Sequence, residues 1–191
     1  MQSRTMLITG ATSGIGKAIA LEMAQRGYTV FATGRRKAAL QELDNASEHI
    51  VALPLDVTDP DSITQVKEEI LRQTNNQGVD ILVNNAGFGV YGPLLDISDE
   101  SLRQQFEVNV FGMVAVTRAF AKPMMERRQG RIINISSVAG RFTLPFAGPY
   151  IASKFALEAL SDTMRMEMAP FNVKVVILEP GLIRTNFLES A

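Results

Sequence analysis

The 191-residue sequence contains no cysteine and no tryptophan, and it has a single histidine. The lack of cysteine excludes disulfide bonds and thiolate chemistry, and it is compatible with a reducing cytosol. No cluster of aspartate, glutamate and histidine has the spacing of metal ligands. The one histidine, His49, precedes a predicted strand, and we assign it no function. We therefore expect neither a metal site nor a disulfide framework.

Long apolar runs and an excess of charge of one sign are also lacking. The formal net charge of −1 offers no basic field for a nucleic acid. No run reaches the length of a transmembrane helix, and the N-terminus lacks the charged and apolar regions of a signal peptide. An apolar fraction of 46% with 20% charged residues is typical of a globular domain. We expect a soluble cytoplasmic protein with one domain over residues 1–191.

A glycine-rich segment near the N-terminus joins a predicted strand to a predicted helix. The apolar run over residues 6–9 ends in Gly10-Ala11-Thr12-Ser13-Gly14-Ile15-Gly16, and apolar residues then repeat at helical spacing up to Gly27. Glycines allow a tight turn in which amides at a helix N-terminus approach a pyrophosphate. A plain strand-to-helix turn would also contain glycine, but the flanking elements favour a dinucleotide site.

Strand-like and helix-like segments alternate along the chain. Predicted strands cover residues 29–33, 49–55, 79–83, 131–135 and 173–178, and predicted helices cover residues 59–74, 98–127 and 149–169. We expect the second of these helices to bend at Gly112 or Pro123. The alternation predicts an α/β protein with a doubly wound, Rossmann-type parallel sheet in the order 3-2-1-4-5-6 and helices on both faces. Ligands of such sheets bind beyond the carboxyl ends of the strands, which precede Gly10, Gly34, Asp56, Asn85, Ser137 and Pro180.

Tyr150 and Lys154 form a Tyr-x-x-x-Lys pair on the helix predicted after the fifth strand. Residues four apart share a helix face. An ammonium about 5 Å from a phenol favours the phenolate by roughly 3 kcal/mol at an effective dielectric of about 20. This would lower a phenol pKa by about two units and suit general acid or base catalysis. The spacing also occurs by chance on many helices, so its meaning depends on Ser137 and the glycine-rich turn.

Taken together, these motifs resemble the short-chain dehydrogenase/reductase family along the whole chain. The cofactor turn of that family is matched by residues 9–16, and its motif after the fourth strand by Asn84-Asn85-Ala86-Gly87. Its loop over the nicotinamide is matched by Pro180-Gly181-Leu182-Ile183-Arg184-Thr185. Its catalytic tetrad is matched in type, order and separation by Asn109, Ser137, Tyr150 and Lys154. The sequence around Tyr150 is most similar to hydroxysteroid and retinol dehydrogenases.

The resemblance implies a role for each matching residue. Tyr150 would exchange a proton with the substrate oxygen, Ser137 would hydrogen-bond that oxygen, and Lys154 would lower the Tyr150 pKa and bind the nicotinamide ribose. Asn109 would hold a water in a proton relay, although an amide in a helix is often only a satisfied buried group. Asn85 would lie beside the nicotinamide ribose, and Asn84 would join neighbouring strands. The other implied cofactor contacts are Gly10, Thr12, Ser13, Gly14, Ile15, Gly16, Asp56, Val57, Ala86, Gly87, Pro180, Gly181, Ile183 and Thr185; Asp56 and Val57 could equally be a strand end before a helix cap.

The end of the second predicted strand discriminates between the two nicotinamide dinucleotides. An acidic residue there would bind the adenosine ribose and favour NAD, but the sequence has Gly34-Arg35-Arg36. A guanidinium bonded to a 2′-phosphate contributes about 1.5–3 kcal/mol, or a ten- to hundredfold preference. Both arginines could instead begin a solvated helix face, and Ser13 stands where some NADP-using relatives carry a second basic residue. We expect NADP(H) to be preferred over NAD(H).

These features predict an NADP(H)-dependent oxidoreductase that interconverts a carbonyl and an alcohol. The apolar residues Tyr91, Phe142, Leu144 and Phe146 could line a cleft for a steroid, a retinoid or a similar substrate, or belong to the core or a dimer contact. A dinucleotide-binding regulatory or scaffolding protein without efficient turnover is the alternative. The resemblance also implies a homodimer or homotetramer. Because residues 186–191 resemble the beginning of a substrate lid, we expect the lid and a seventh strand to be absent from this chain.

Overall fold

In a computed structural model of the protein, a six-stranded parallel sheet lies at the centre of the molecule. The structure describes residues 4–183. Every neighbouring pair of strands is parallel, and the order β3-β2-β1-β4-β5-β6 confirms the predicted doubly wound topology. The strands are β1 (Thr5–Ile8), β2 (Thr29–Gly34), β3 (Ile50–Pro54), β4 (Ile81–Asn84), β5 (Gly130–Ile135) and β6 (Val173–Leu178).

Helices cover both faces of the sheet. Successive side chains of a strand point to opposite faces, so each strand has apolar side chains to bury on both sides. Leu7 belongs to a core cluster shared with α3 and α5, whereas Met6 and Ile8 belong to a second cluster shared with α1 and α2. Within residues 4–183, no helix has the length and apolar character needed to cross a bilayer. The helices are α1 (Gly14–Gln25), α2 (Lys37–Ala46), α3 (Pro60–Gln73), α4 (Asp99–Phe106), α5 (Met113–Glu126) and α6 (Gly148–Met168).

Local sequence signals explain several of these boundaries. The Asp59 carboxylate caps α3 by accepting the Asp61 amide at 2.9 Å, and Pro60 occupies the first turn, where no amide hydrogen bond is lost. Strand β6 covers the predicted residues. Strand β4 begins at Ile81, two residues later than predicted. The reason is that Asp80 is turned toward the start of β1, where its carboxylate accepts the Thr5 amide at 2.8 Å.

The helical stretch predicted over residues 98–127 has three parts. Helix α4 is followed by a π-helical segment, Glu107–Gly112, and then by α5. The segment ends at Gly112, one of the two predicted bend positions, whereas Pro123 lies inside an uninterrupted α5. A Cβ at position 112 would lie 2.7 Å from Val57 Cγ2, so glycine permits the close approach of this segment to the end of β3. π-Helical turns frequently occur at functional sites, and this one contains Asn109.

A chain of buried amides joins β4, β5 and α6. The Asn84 side chain donates to Asn134 Oδ1 at 2.8 Å and to Thr117 Oγ1 at 2.9 Å. Asn134 in turn donates to Ser161 Oγ at 2.8 Å. Asn84 and Asn134 are register partners in the sheet. As predicted, Asn84 connects neighbouring strands, directly below the site formed at their carboxyl ends.

Candidate active site

The glycine-rich turn after β1 is held in place by the loop after β4. Thr9 Oγ1 accepts the backbone amides of Asn85 and Ala86, both at 3.0 Å. The Asn85 side-chain amide donates to the carbonyl oxygens of Thr9 and Gly10, also at 3.0 Å. The family resemblance implied a place for Asn85 beside the nicotinamide ribose. In the structure its amide nitrogen supports the turn, and its contact with the ribose stays a prediction.

The turn itself fits the dinucleotide that the resemblance implies. Gly10 has φ +64°, and a Cβ there would lie 2.8 Å from Ala86 Cα. A Cβ on Gly16 would lie 2.5 Å from Asn85 Nδ2. Helix α1 begins at Gly14 with no acidic residue in its first turn, and the Ser13 side chain does not cap its amides. The turn therefore combines two close backbone approaches that glycine permits, at Gly10 and Gly16, with a helix N-terminus that no side chain caps, and both features suit a pyrophosphate.

Two other residues of the turn have structural roles. Ile15 packs against the core cluster of Met6 and Ile8, so its side chain anchors the start of α1. Thr12 lies against the end of β2, where a Cβ on Gly34 would come within 2.7 Å of Thr12 Cγ2. An aspartate at position 34, typical of NAD binding, would therefore require the Thr12 side chain to move.

The two arginines after β2 differ in their contacts. Arg36 Nη2 donates to the Thr12 carbonyl at 2.7 Å, so this side chain supports the glycine-rich turn. Arg35 Nη1 lies 3.7 Å from Asp56 Oδ2, and its side chain is 69% exposed. Both arginines were predicted cofactor contacts. Arg36 is bound to the turn, and Arg35 provides an exposed positive charge beside it.

Asp56 and Val57 follow β3 and have opposite environments. Burial raises the pKa of the Asp56 carboxyl, but hydrogen bonds from Thr58 and the charge of Arg35 outweigh it, so the pKa lies below its ordinary value. Asp56 is therefore ionised at neutral pH and accepts the Thr58 amide at 2.9 Å. Val57 is buried in the core against Gly112. Thus Asp56 is available at the edge of the site, whereas the Val57 side chain belongs to the core.

Two buried amides hold the loop after β4. Asn109 accepts the Phe88 amide at 3.1 Å and donates to the Phe88 carbonyl at 3.0 Å and to Ser153 Oγ at 3.1 Å. Gln105 accepts the Val90 amide and donates to the Phe88 carbonyl, both at 2.7 Å. Gly87 lies beside them, because a Cβ there would be 3.2 Å from Asn109 Oδ1. Sequence reasoning missed Gln105, although its spacing of four from Asn109 was a usable signal.

Tyr150 and Lys154 lie on one face of α6, beside Ser137 at the end of β5. Lys154 Nζ is 5.7 Å from the centroid of the Tyr150 ring and donates to the Ile135 carbonyl at 2.9 Å. Ser137 Oγ accepts the Ala139 amide at 3.1 Å, and its hydroxyl also interacts with Tyr150. Ser153 Oγ donates to the Tyr150 carbonyl at 2.7 Å and links this group to Asn109. All four residues of the predicted tetrad thus belong to one connected site.

The pKa of Tyr150 is shifted in the direction opposite to the sequence-based expectation. Burial raises the pKa of the phenol, and the hydrogen bond with Ser137 only partly offsets this effect. Burial also lowers the pKa of Lys154 to about 8, against the opposing charge of Glu158. The expectation of a lowered phenol pKa assumed two partly solvated groups, whereas the structure buries the lysine and directs its amine to Ile135. At neutral pH the phenol is protonated and the lysine is charged, an arrangement suited to proton donation.

Tyr91 packs against Tyr150, and the segment that precedes Tyr150 exposes several apolar side chains. The Tyr91 ring centroid lies 5.8 Å from that of Tyr150, and burial together with the Tyr150 charge raises the Tyr91 pKa to about 12. The chain between Ser137 and Tyr150 exposes Phe142, Leu144 and Phe146, so these residues do not belong to the core. Phe146 has φ +64°, a conformation that is unusual for an aromatic residue and typical of functional sites.

The loop after β6 is joined to the segment that carries Ser137. The Val138 amide donates to the Pro180 carbonyl at 3.1 Å, and the Ser136 amide donates to the Leu178 carbonyl at 2.7 Å. A Cβ on Gly181 would meet no atom within 4 Å, and Ile183 is half-exposed. Thr185 and the expected start of the lid over residues 186–191 lie outside the described residues. The described part of this loop therefore lies beside the segment that carries Ser137, and its expected place over the nicotinamide stays a prediction.

The sheet order and the glycine-rich turn define a Rossmann-type dinucleotide-binding protein, and a family model identifies it further. The model for short chain dehydrogenases matches residues 4–191. The chain belongs to the short-chain dehydrogenase family. The oxidoreductase class predicted from the tetrad is therefore confirmed.

Curated relatives agree with this assignment. An uncharacterized oxidoreductase of Escherichia coli, YbbO, is 38% identical over 190 residues, which cover 100% of this chain and 70% of YbbO. A 3-ketodihydrosphingosine reductase of Bacteroides thetaiotaomicron is 37% identical, with 100% of this chain and 68% of the reductase covered. Retinol dehydrogenase 5 of Mus musculus is 38% identical, and the match covers 94% of this chain and 57% of the dehydrogenase. The predicted similarity to the retinol dehydrogenase branch is thus confirmed.

Solved structures share the same fold. A short-chain dehydrogenase from Streptomyces avermitilis is 42% identical with a TM-score of 0.92, and the match covers 97% of this chain and 68% of that one. The closed form of serine dehydrogenase complexed with NADP⁺ is 35% identical with a TM-score of 0.92, and the match covers 97% of this chain and 75% of that one. The chain therefore has a well-represented fold, and one of these similar proteins binds NADP⁺.

Proposed function

We propose that the protein is an NADP(H)-dependent oxidoreductase that interconverts a carbonyl and an alcohol. The observation that carries this proposal is the grouping of Tyr150, Ser137 and Lys154 at the same carboxyl edge of the sheet as the glycine-rich turn. A protein that only bound the dinucleotide would need the turn. It would have no evident use for a serine and a tyrosine placed together at the end of β5.

Tyr150, Ser137 and Lys154 have different roles in proton transfer. When bound, the nicotinamide supplies the hydride in reduction and accepts it in oxidation. Tyr150 donates its phenolic proton to the substrate oxygen, and positioned proton donors of this kind typically contribute 10²- to 10⁴-fold in rate. Ser137 already accepts the Ala139 amide, so its hydroxyl proton is available to hydrogen-bond the same oxygen. The Lys154 ammonium stabilises the negative charge that develops on the phenol as the proton leaves.

The preference for NADP(H) over NAD(H) rests on the end of β2. Position 34 is a glycine, so no carboxylate stands there to select NAD, and a side chain at this position would meet Thr12. The exposed Arg35 guanidinium supplies a positive charge next to this position, and the structurally similar serine dehydrogenase is solved with NADP⁺. A titration that gave equal dissociation constants for NADPH and NADH would contradict this preference.

The exposed apolar side chains around Tyr150 support a lipophilic substrate. Tyr91, Phe142, Leu144 and Phe146 together offer an apolar surface that a small polar substrate would leave in water. Two of the relatives are named for 3-ketodihydrosphingosine and for retinol. We expect kcat/KM to rise with chain length in a homologous series of aliphatic ketones or aldehydes, by about fourfold for each buried methylene.

The decisive experiment measures NADPH oxidation with a panel of ketones and aldehydes, and NADP⁺ reduction with the matching alcohols. Tyr150→Phe should lose turnover at least a hundredfold while its NADPH dissociation constant changes by less than about twofold. Tyr28→Phe, a tyrosine outside the site, is the matched control. A near-wild-type rate in Tyr150→Phe would refute the assignment. Tight NADPH binding without turnover of any substrate would favour the alternative, a regulatory or scaffolding protein.

A homodimer or homotetramer, predicted from the family resemblance, stays a prediction, as does a cytoplasmic location. The exposed aromatic residues Phe111, in the π-helical segment, and Phe155, on α6, offer apolar surface for such an assembly. Light scattering of the purified protein measures the oligomeric state directly. A monomer at micromolar concentration would contradict the expected assembly.

A further inference from the structure

Glu158 is a buried carboxylate that the proposed reaction does not use. It lies on α6, four residues after Lys154, and only 6% of its surface is exposed. Among the described residues, neither carboxylate oxygen has a hydrogen-bond partner. The nearest cation is Arg141, whose Nη2 lies 3.2 Å from Glu158 Oε2. Burial of a charge is costly unless an opposite charge or hydrogen bonds compensate for it. We therefore expect a second cation near this carboxylate.

Three segments hold the carboxylate in place. A Cβ on Gly140 would lie 3.0 Å from Glu158 Cγ and 3.3 Å from its Oε1, so the glycine makes room for this side chain. The same point is 3.2 Å from the buried Ser136 hydroxyl. Arg141 also binds Glu179 through Nη2 and Nε at 2.6 and 3.1 Å, directly after β6. Glu158 is thus fixed where α6, the segment after β5 and the end of β6 meet.

Lys154 is the second cation that faces this carboxylate. Spacing of four on a helix places the two side chains on one face, one turn apart. The Lys154 amine is buried, and the hydrogen bond that it donates goes to the Ile135 carbonyl, which carries no net charge. A carboxylate one turn away supplies the full negative charge that the backbone carbonyl lacks.

We propose that Glu158 is a positioning residue that acts through Lys154: it keeps the lysine of the active site charged, while Arg141 and Gly140 hold the carboxylate in register. The inference rests on the function proposed above, because a charged Lys154 matters for the proton transfer of Tyr150. It assigns a role to a residue that touches neither the substrate nor the cofactor. It also explains why a carboxylate is buried directly behind the proton-transfer pair.

The charges around Lys154 determine the direction in which loss of Glu158 would shift the Lys154 pKa. Burial lowers the pKa of Lys154 to about 8, and Glu158 raises it. A nearby opposite charge favours the charged form of an amine. Loss of Glu158 would therefore lower the lysine pKa further, toward neutrality. Within residues 4–183, the other ionisable groups that face Lys154 or its counter-ion are Tyr150, Arg141 and Glu179, with Asp162 acting on Arg141.

The test removes the charge of Glu158 and follows Lys154 directly. Glu158→Gln keeps the shape of the side chain, and Glu158→Leu replaces it with an apolar group of similar size. Because removal of one partner of a buried ion pair is destabilising, the folding of both variants is verified first by circular dichroism. Glu167→Gln, an exposed glutamate on the same helix, is the matched control. The protein is labelled with lysine ¹³C at Cε, the Lys154 resonance is assigned with Lys154→Met, and its titration is followed by NMR.

In both Glu158 variants we expect the Lys154 titration midpoint to fall by at least one pH unit, and to stay unchanged in Glu167→Gln. The alkaline limb of the pH profile for carbonyl reduction should move down by the same amount, while kcat near pH 6 stays within about threefold. A purely structural role would lower kcat at every pH and leave the midpoint in place.

A shift below about 0.3 unit in either folded variant overturns the proposal. The NMR titration needs no turnover, so it decides the role of Glu158 even for a protein that reduces no carbonyl. Absence of turnover in the wild type would refute the proposed function alone. The two failures are therefore distinguishable.

Discussion

Replacing Arg35 with alanine separates cofactor selection from fold stability. The ion pair of Arg35 with Asp56 spans 3.7 Å, and the arginine side chain is 69% exposed. Exposed pairs of this kind contribute about 0–1 kcal/mol to stability, so the melting temperature should change by only a few degrees. A charge-assisted hydrogen bond to a 2′-phosphate contributes about 1.5–3 kcal/mol. The NADPH dissociation constant should therefore rise ten- to a hundredfold, whereas that of NADH should stay within about twofold.

The measurement is a calorimetric titration of both cofactors at one fixed ionic strength, because exposed charges are screened by salt. Arg26→Ala removes a surface arginine that pairs with Glu22 on α1 and serves as the control. Arg36→Ala gives a second contrast: Arg36 supports the glycine-rich turn through the Thr12 carbonyl, so its loss should weaken NADPH and NADH alike. Equal weakening of both cofactors by Arg35→Ala, or no weakening of either, would refute the reasoning.

Two other substitutions have outcomes that the structure fixes in sign. Gly10 has φ +64°, and a Cβ there would lie 2.8 Å from Ala86 Cα, so Gly10→Ala should weaken NADPH binding more than tenfold. Gly27→Ala is the control: Gly27 has φ +81° but no atom within 4 Å of a Cβ, so this variant measures only the cost of a positive φ for alanine. Equal effects of both on NADPH binding would contradict this account. The pKa of Lys154 is about 8 in the folded protein against an ordinary value of 10.5, so the cost of burying its charge is full below pH 8 and is relieved as the pH rises toward 10.5. Relative to Lys154→Met, urea unfolding should show the wild type gaining about 1.5 kcal/mol between about pH 8 and 9.5, and a constant difference would rule out the lowered pKa.

The fold was predictable where local patterns decide it. Strand β6 coincides with its apolar run, and Asp59 caps α3 through its own side chain. The π-helical segment Glu107–Gly112 was not predictable, because an apolar pattern does not distinguish an i+5 from an i+4 hydrogen bond. Its position depends on the contact between Gly112 and Val57, which come from distant parts of the chain.

The candidate site shows the same division. Residue type and order predicted which side chains meet, namely Asn109, Ser137, Tyr150 and Lys154. They did not predict that the side chains of Asn85 and Arg36 would donate hydrogen bonds to backbone carbonyls of the glycine-rich turn, because those partners are set by tertiary contacts. The direction of the Tyr150 pKa was wrong for the same reason: it depends on how deeply both groups are buried, and charge spacing alone does not give this.

The hydrogen bonds of Asn109 and Gln105 have a consequence for redesign of the substrate specificity. In the loop after β4, both amides bind backbone atoms, those of Phe88 and Val90. Asn109 also donates to Ser153, which bonds the Tyr150 carbonyl. A loop of different length grafted after β4 would therefore disturb the placement of Tyr150. The side chain of Phe88 takes no part in these bonds, so libraries that vary its identity can reshape the cleft while the backbone of the loop is retained.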